Sequence, residues 1–192
     1  MIKRVVGKSP SGTARYDTLE EFIAAVERNP QIDWRRNLLP EALENEDLVA
    51  RVQIATWMLD HGVDAEWVNS SDKANVLHIM FQERIHDFET EAPVLQRILD
   101  AGADINLWSP KWGVPMQLLL ENPRMSEPEV FPFYDVIFSH PGIDWNAYMG
   151  KTAGQRLNLA NYVDSKPNVY PDFHRRMHHY LEHGPAPRPT FN

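Results

Sequence analysis

Apolar residues along this chain fall into short helical stripes separated by polar turns. Leu19, Phe22, Ile23 and Val26 recur at helical spacing. Asp17 or Thr18 stands before them as a cap, Glu20 or Glu21 follows three residues on as a capping-box partner, and Pro30 ends the stretch. Leu38 to Asn45 predicts a short helix. Asp47 to Asp60 predicts a longer one, whose wide stripe (Leu48, Val49, Val52, Ile54, Ala55, Met58, Leu59) suits packing on two sides, with Gly62 ending it in the left-handed conformation. After the polar turn from Val63 to Asn75, Val76 to Ile85 and Glu91 to Ala101 read as a helix pair closed by Gly102. Pro115 is placed for the first turn of a helix running to Glu121. Asn122 to Pro132 is too broken for regular helix, Phe133 to Ser139 is the next helix, and Gly142 closes it. Lys151 to Tyr162 reads as one more helix, Ser165 to Pro171 as a loop, and Phe173 to His183 as a last helix capped by Asp172. Residues 1–16 lack helical periodicity and predict an irregular or extended segment, with Ile2, Val5 and Val6 as a short extended piece. Residues 185–192, PAPRPTFN, predict an extended or disordered tail.

One phrase recurs at the helix ends. It is clearest at LDAGADINLW (Leu99 to Trp108), and it returns as LDHGVDAEW (Leu59 to Trp67), FSHPGIDWN (Phe138 to Asn146), LEHGPA (Leu181 to Ala186) and, as a vestige, NPQIDW (Asn29 to Trp34). Its Asp positions are Asp33, Asp64, Asp104 and Asp144, with Ala186 at the last equivalent place, so the units are 31, 40, 40 and 42 residues long. A near-constant period with two helices and a turn per unit predicts a helical solenoid, in which each unit has too little apolar surface to fold without its neighbours.

The phrase and the unit together resemble ankyrin repeats, over roughly Asp17 to Gly184. Gly-Ala-Asp-x-Asn is intact at Gly102 to Asn106, and Gly142 to Asn146 is near to it. The family's first-helix motif, Gly-x-Thr-Pro-Leu-His, is partial in every copy. Asn75-Val76-Leu77-His78 keeps Leu and His, Val114-Pro115-Met116-Gln117 keeps Pro, and Gly150-Lys151-Thr152 keeps Gly and Thr. The units are longer than the usual period of about 33. The extra length is expected between the helices of each unit, at Asp87 to Pro93, Asn122 to Pro132 and Asp164 to Pro171. Tetratricopeptide and HEAT-type repeats also stack helix pairs but lack the polar hairpin that this chain shows three times. The resemblance implies an all-α, ankyrin-like helical solenoid of about four to five stacked helix-turn-helix units with short hairpin turns, spanning residues 17–184. It also implies a non-catalytic protein-protein binding module.

Composition narrows the partner. The 192 residues include no cysteine, which removes disulfides and thiolate sites and fits the cytoplasm. No apolar run reaches the ~18 residues of a membrane span, and MIKRVVGKSP makes a poor signal peptide. Net charge is −8, yet the first sixteen residues carry +4, leaving −12 on the remainder. An acidic body argues against nucleic acid and favours a basic protein partner. Size, acidity and lack of catalytic motifs make the chain similar to compact, degenerate ankyrin-type immunity proteins, which accompany secreted bacterial toxins and act by covering a toxin's active site. A regulatory or assembly scaffold in a larger complex is the alternative.

Candidate chemistry is sparse. His61, His140 and His183 lie just before the repeat glycine position, where a cation opposes the negative end of a helix. His78 falls on the Leu-His position of the ankyrin motif, whose imidazole bonds to loop backbone. His174 and His178 are spaced i,i+4, as metal ligands can be. No glutamate follows the first histidine as in a zinc protease, and Arg175 and Arg176 stand beside them, so a metal-dependent enzyme on this pair is the least favoured reading. Gly150-Lys151-Thr152 echoes a phosphate loop, but Trp145 occupies the position of its first glycine. Neither catalytic residues nor a cofactor or bound metal is expected. Glu41, Glu44, Glu46 and Asp47 read as a solvated face. Trp34 and Trp145, directly after the repeat Asp, are expected to pack between units. Trp67, Trp108, Trp112 and Tyr148 lie in the hairpins, and with the acidic Glu66 and Asp72 they form the candidate partner-binding set.

Overall fold

A computed structural model describes residues 8–122, 126–152 and 155–191. The chain is mostly helical. Among the described residues the helices are α1 (Pro10–Tyr16), α2 (Leu19–Arg28), α3 (Leu39–Leu43), α4 (Leu48–Asp60), α5 (Val76–Gln82), α6 (Phe88–Asp100), α7 (Pro115–Leu120), α8 (Phe131–Ser139), α9 (Leu159–Asp164) and α10 (Pro171–His183). Two antiparallel strands, β1 (Tyr148–Thr152) and β2 (Gln155–Asn158), pair before α9. Short 3-10 turns at Trp34–Arg36 and Glu127–Val130 complete the path. No helix among the described residues is long and apolar enough to cross a membrane.

The helices touch in two files. α3 packs on α1 and α5, and α5 on α7, while α4 lies between α2 and α6, and α8 between α6 and α10. One apolar cluster runs from Ala14 and Phe22 through Ile54, Leu77, Ile98 and Phe133 to Phe173 and Met177. Trp34 and Trp145, each 5% exposed, are buried as expected. Trp34 meets Phe22 and Trp57, and Trp145 meets Phe138, Phe173 and Tyr180.

Helix ends follow local chemistry. The Thr18 hydroxyl accepts from Glu21 N–H and the Glu21 carboxylate accepts from Thr18 N–H, completing the capping box of α2. Asp47 caps α4 by accepting from the N–H groups of Val49 and Ala50. After α4 and α6, Gly62 (φ +76°) and Gly102 (φ +98°) take the left-handed conformation. The N–H groups of Val63 and Ala103 then bond back to Met58 and Ile98 carbonyls at 3.0 and 3.2 Å, the six-to-one closure of a Schellman motif.

Several expectations need correction. Residues 10–16 form a helix: Ser9 caps it and Pro10 takes its first position. With Thr13 and Ala14 as its only other buried residues, α1 has too few large apolar side chains to show a periodic stripe. The extended piece at Ile2, Val5 and Val6 lies outside the described residues. Asp87 to Pro93 is no insert but the cap and first turns of α6, where Asp87 accepts from Thr90 N–H. Lys151 to Tyr162 is not one helix. Its first part belongs to the β1–β2 hairpin, bulged between Tyr148 and Gly150, whose φ of +123° no helix accommodates, and α9 starts only where Asn158 caps it. Pro171, not Asp172, opens the last helix. The turn after α8 is also different. Pro141 has no N–H for a Schellman closure and pushes His140 into extended backbone (φ −78°, ψ 125°), so Gly142 needs no positive φ. The tail lacks helix and is docked: Ala186 N–H donates to Phe138 C=O at 2.9 Å, and Arg188 pairs with Asp100.

Candidate functional site

The repeat Asp residues act as turn formers. The carboxylates of Asp64, Asp104 and Asp144 accept from the N–H groups of Glu66, Asn106 and Asn146 at 3.0, 2.8 and 2.9 Å. Side-chain amides then tie neighbouring turns together. Asn75 Nδ2 donates to Asp104 C=O at 2.6 Å, Asn106 Nδ2 to Gly142 C=O at 2.6 Å, and Asp144 N–H to Asn106 Oδ1 at 2.8 Å. His78 extends this ladder. Its Nε2–H reaches Gly113 C=O at 3.0 Å, and its Nδ1 lies 3.1 Å from Asn75 N and 2.8 Å from Asn75 Oδ1. Burial pushes its pKa down, and so favours the neutral imidazole.

On this framework the six expected binding residues do not form one cluster. Trp112 and Asp72 hold each other, with indole Nε1–H donating to Asp72 Oδ2 at 3.1 Å. Asp72 also caps its own turn through Ala74 N–H, and the buried Ser109 hydroxyl donates to its carbonyl. Desolvation pushes the Asp72 carboxyl up, but the bonds from Ala74 N–H and Trp112, with the charge of Lys111, hold it below its ordinary range. Lys111 lies 4.1 Å over the Trp112 ring. Trp108 and Tyr148 make a second group, ring centroids 5.7 Å apart, with Arg156 over the Tyr148 ring. Trp108 is 42% exposed, an unusual state for its size. Trp67 is half-buried against the core, and exposed Glu66 lies over Gly102.

Trp112 also stands at the edge of a groove of about 910 Å³, lined further by Glu46, Glu83, Arg84, Leu118 and Glu121. The groove follows the ends of α3, α5 and α7. Burial holds Glu83 above the usual carboxylate range, opposed first by Arg51, which lies 3.7 Å away; burial likewise raises nearby Glu44, opposed by Arg15. Glu121 accepts from the Tyr162 hydroxyl at 2.9 Å. Arg51, which lines the groove, has a side chain only 3% exposed and donates to Glu91 Oε1 at 2.9 Å, Ile85 C=O at 3.0 Å and Asn45 C=O at 2.9 Å. Glu91 also bonds His86 at 2.8 Å and Asp87 N–H at 3.0 Å.

Glu83, Glu121 and the Arg51–Glu91–His86 network were not singled out from the sequence. One signal was there: a charge inside the apolar stripe of α4. The helix buries Ala50, Arg51, Ile54, Ala55 and Met58, while Val49 is 65% exposed. Of the acids expected to be simple solvated charges, Glu46 lines this groove and Glu44 pairs with Arg15 at 2.5 Å. At the far end of the molecule Asp164, which closes α9, meets the expected pair His174 and His178. His178 Nε2 lies 2.8 Å and His174 Nε2 3.2 Å from Asp164 Oδ1.

No protein-family model matches the chain, and no curated protein matches it. Among solved structures, a functionally unknown protein from Leptotrichia buccalis C-1013-b is similar in fold. The match has a TM-score of 0.70 at 22% identity, covering 91% of this chain and 93% of that one.

Proposed function

We propose that the chain is an ankyrin-like solenoid that binds a basic protein through the acidic groove at the ends of α3, α5 and α7. The observation that carries this reading is the groove itself: Glu46, Glu83 and Glu121 line one cavity with Trp112 and outnumber its two arginines, Arg51 and Arg84. Burial holds Glu83 above the usual carboxylate range, and a carboxylate so placed is stabilised when a Lys or Arg side chain enters. Trp112 supplies the rigid aromatic anchor common among interface hot spots. Two files of helices joined by Asx turns and a buried histidine are what an ankyrin-like stack requires, and they support that architecture. Within this reading an immunity protein that covers a basic toxin in the cytoplasm is the narrower form, and a scaffold in a larger complex is the alternative.

The test is capture of the partner from the native source, followed by titration against Trp112→Ala and Glu83→Gln. Truncating a hot spot costs at least about 2 kcal/mol, so Trp112→Ala should weaken binding by more than about tenfold while circular dichroism stays unchanged. A partner that is acidic, or binding indifferent to both substitutions, overturns the proposal. Trp108→Ala sharpens it: the same loss there would extend the surface to the Trp108–Tyr148 pair.

A further inference from the structure

We infer that Asp164, His174 and His178 form a binding site for a divalent zinc-type ion that ties α9 to α10. In sequence the histidine pair has no third ligand and two arginines beside it. The fold supplies what is missing. Asp164 ends α9 and brings a carboxylate oxygen to both imidazoles, and the two Nε2 atoms lie 3.2 Å from each other. The three donor atoms therefore form a triangle with sides of 2.8, 3.2 and 3.2 Å. Zinc ligands at 2.0–2.1 Å in a tetrahedron are separated by about 3.3 Å, so the three donor atoms already stand about as far apart as the ligands of one ion. Two imidazole nitrogens and one carboxylate oxygen are a donor set suited to zinc and its first-row neighbours, with a water completing four-coordination.

The nearby cations do not compete for this position. Arg175 pairs with Asp172, Arg176 pairs with Asp172 and Asp135, and Lys166 is held by the Tyr162 hydroxyl at 2.7 Å. All three ligands retain solvent access, with side chains 30–47% exposed, so an ion can enter without unfolding. The site joins a six-residue helix to the last helix of the chain, where a cross-link would rigidify the terminal unit. Neither the groove nor its partner enters this argument.

The experiment is zinc titration of the full, untagged chain, with bound metal counted by elemental analysis and Co2+ used as a spectroscopic stand-in. The expected result is one ion per chain, a tetrahedral Co2+ absorption band, and a zinc-dependent rise in Tm. Loss of an outer-shell partner alone costs about 10–100-fold in metal affinity, so His178→Ala and Asp164→Asn should each weaken binding at least about tenfold and abolish the Tm rise. His179→Ala removes a histidine of the neighbouring stacked pair with His183 and should change nothing. Sub-stoichiometric zinc, or His178→Ala binding zinc like the native chain while keeping its helical spectrum, overturns the site and leaves a hydrogen-bonded triad.

Discussion

The turn after α6 and the turn after α8 start from nearly the same words, Gly-Ala-Asp-Ile-Asn and Gly-Ile-Asp-Trp-Asn, and end differently. The first closes quickly: Ser109 and Gly113 exchange backbone hydrogen bonds at 2.8 and 2.9 Å, and α7 begins two residues later. The second runs on into the β1–β2 hairpin before α9 can start. Both use the Asp carboxylate identically, so the Asx turn is not what separates them. The difference lies on either side. Before the turn, Gly102 completes a Schellman motif, whereas Pro141 denies one to Gly142. After it, Ser109 ties down the first hairpin through Asp72, Lys111 and Trp112, while the bulge at Gly150 lets the second hairpin extend. A shared turn motif thus sets where a unit ends without setting how the next begins.

Substitutions can break this comparison at defined points. The largest effect is expected at His78, which joins the first turn to the unit before it. His78→Ala leaves Asn75 N–H without its partner, removes one of the two donors to Gly113 C=O and opens a cavity, a loss of about 2–4 kcal/mol that should appear as a lower urea midpoint. Gly102→Ala comes next. A side chain at φ +98°, with its Cβ 2.6 Å from Glu66 Oε1, should cost about 1–2 kcal/mol in the same denaturation experiment. The matching Gly142→Ala should stay within about 0.5 kcal/mol, because its φ is ordinary and the nearest atom, His140 Nε2 at 3.1 Å, is the tip of a movable side chain. Equal losses at the two glycines would show that the turns are not different after all.

The gentlest signal is pH. His78 has a folded pKa below its ordinary 6.5, so between those two values the unfolded chain holds more protons. Its contribution is therefore fully present above pH 6.5 and declines as pH falls toward the folded value. Half-buried His140 is shifted the same way, again by desolvation. His78→Gln should accordingly flatten, but not remove, the fall in urea midpoint below pH 6.5. An unchanged slope would mean that His78 does not titrate on unfolding.

Much of the fold was legible because local chemistry decides it. Thr18 with Glu21, the glycines after α4 and α6, and the turn at the repeat Asp all act within a few residues, where sequence order is spatial order; Asp47, expected on a solvated face, caps α4 by the same local chemistry. The burial of Trp34 and Trp145 was legible for a related reason, since the position after the repeat Asp faces the next unit. Legibility failed where a feature is non-periodic or distant. α1 is small-residue helix fixed by what it packs on, and the hairpin after Tyr148 is set by pairing across the turn. Of the candidate site, Trp112 was found in the sequence; Glu83 and Glu121 were not, because they close two different helices, α5 and α7, and come together only at the groove.

The sequence by itself determined the mostly helical character, the glycine-closed ends of α4 and α6 and the acidic character of the body, all consequences of turn chemistry and composition. Tertiary structure alone decided which charges share a cavity, why Arg51 can be buried, and that Asp164 stands with His174 and His178. The physical reason is that electrostatics and ligation depend on distances of a few ångströms between residues ten to forty positions apart, and only the stacking of helices sets those distances.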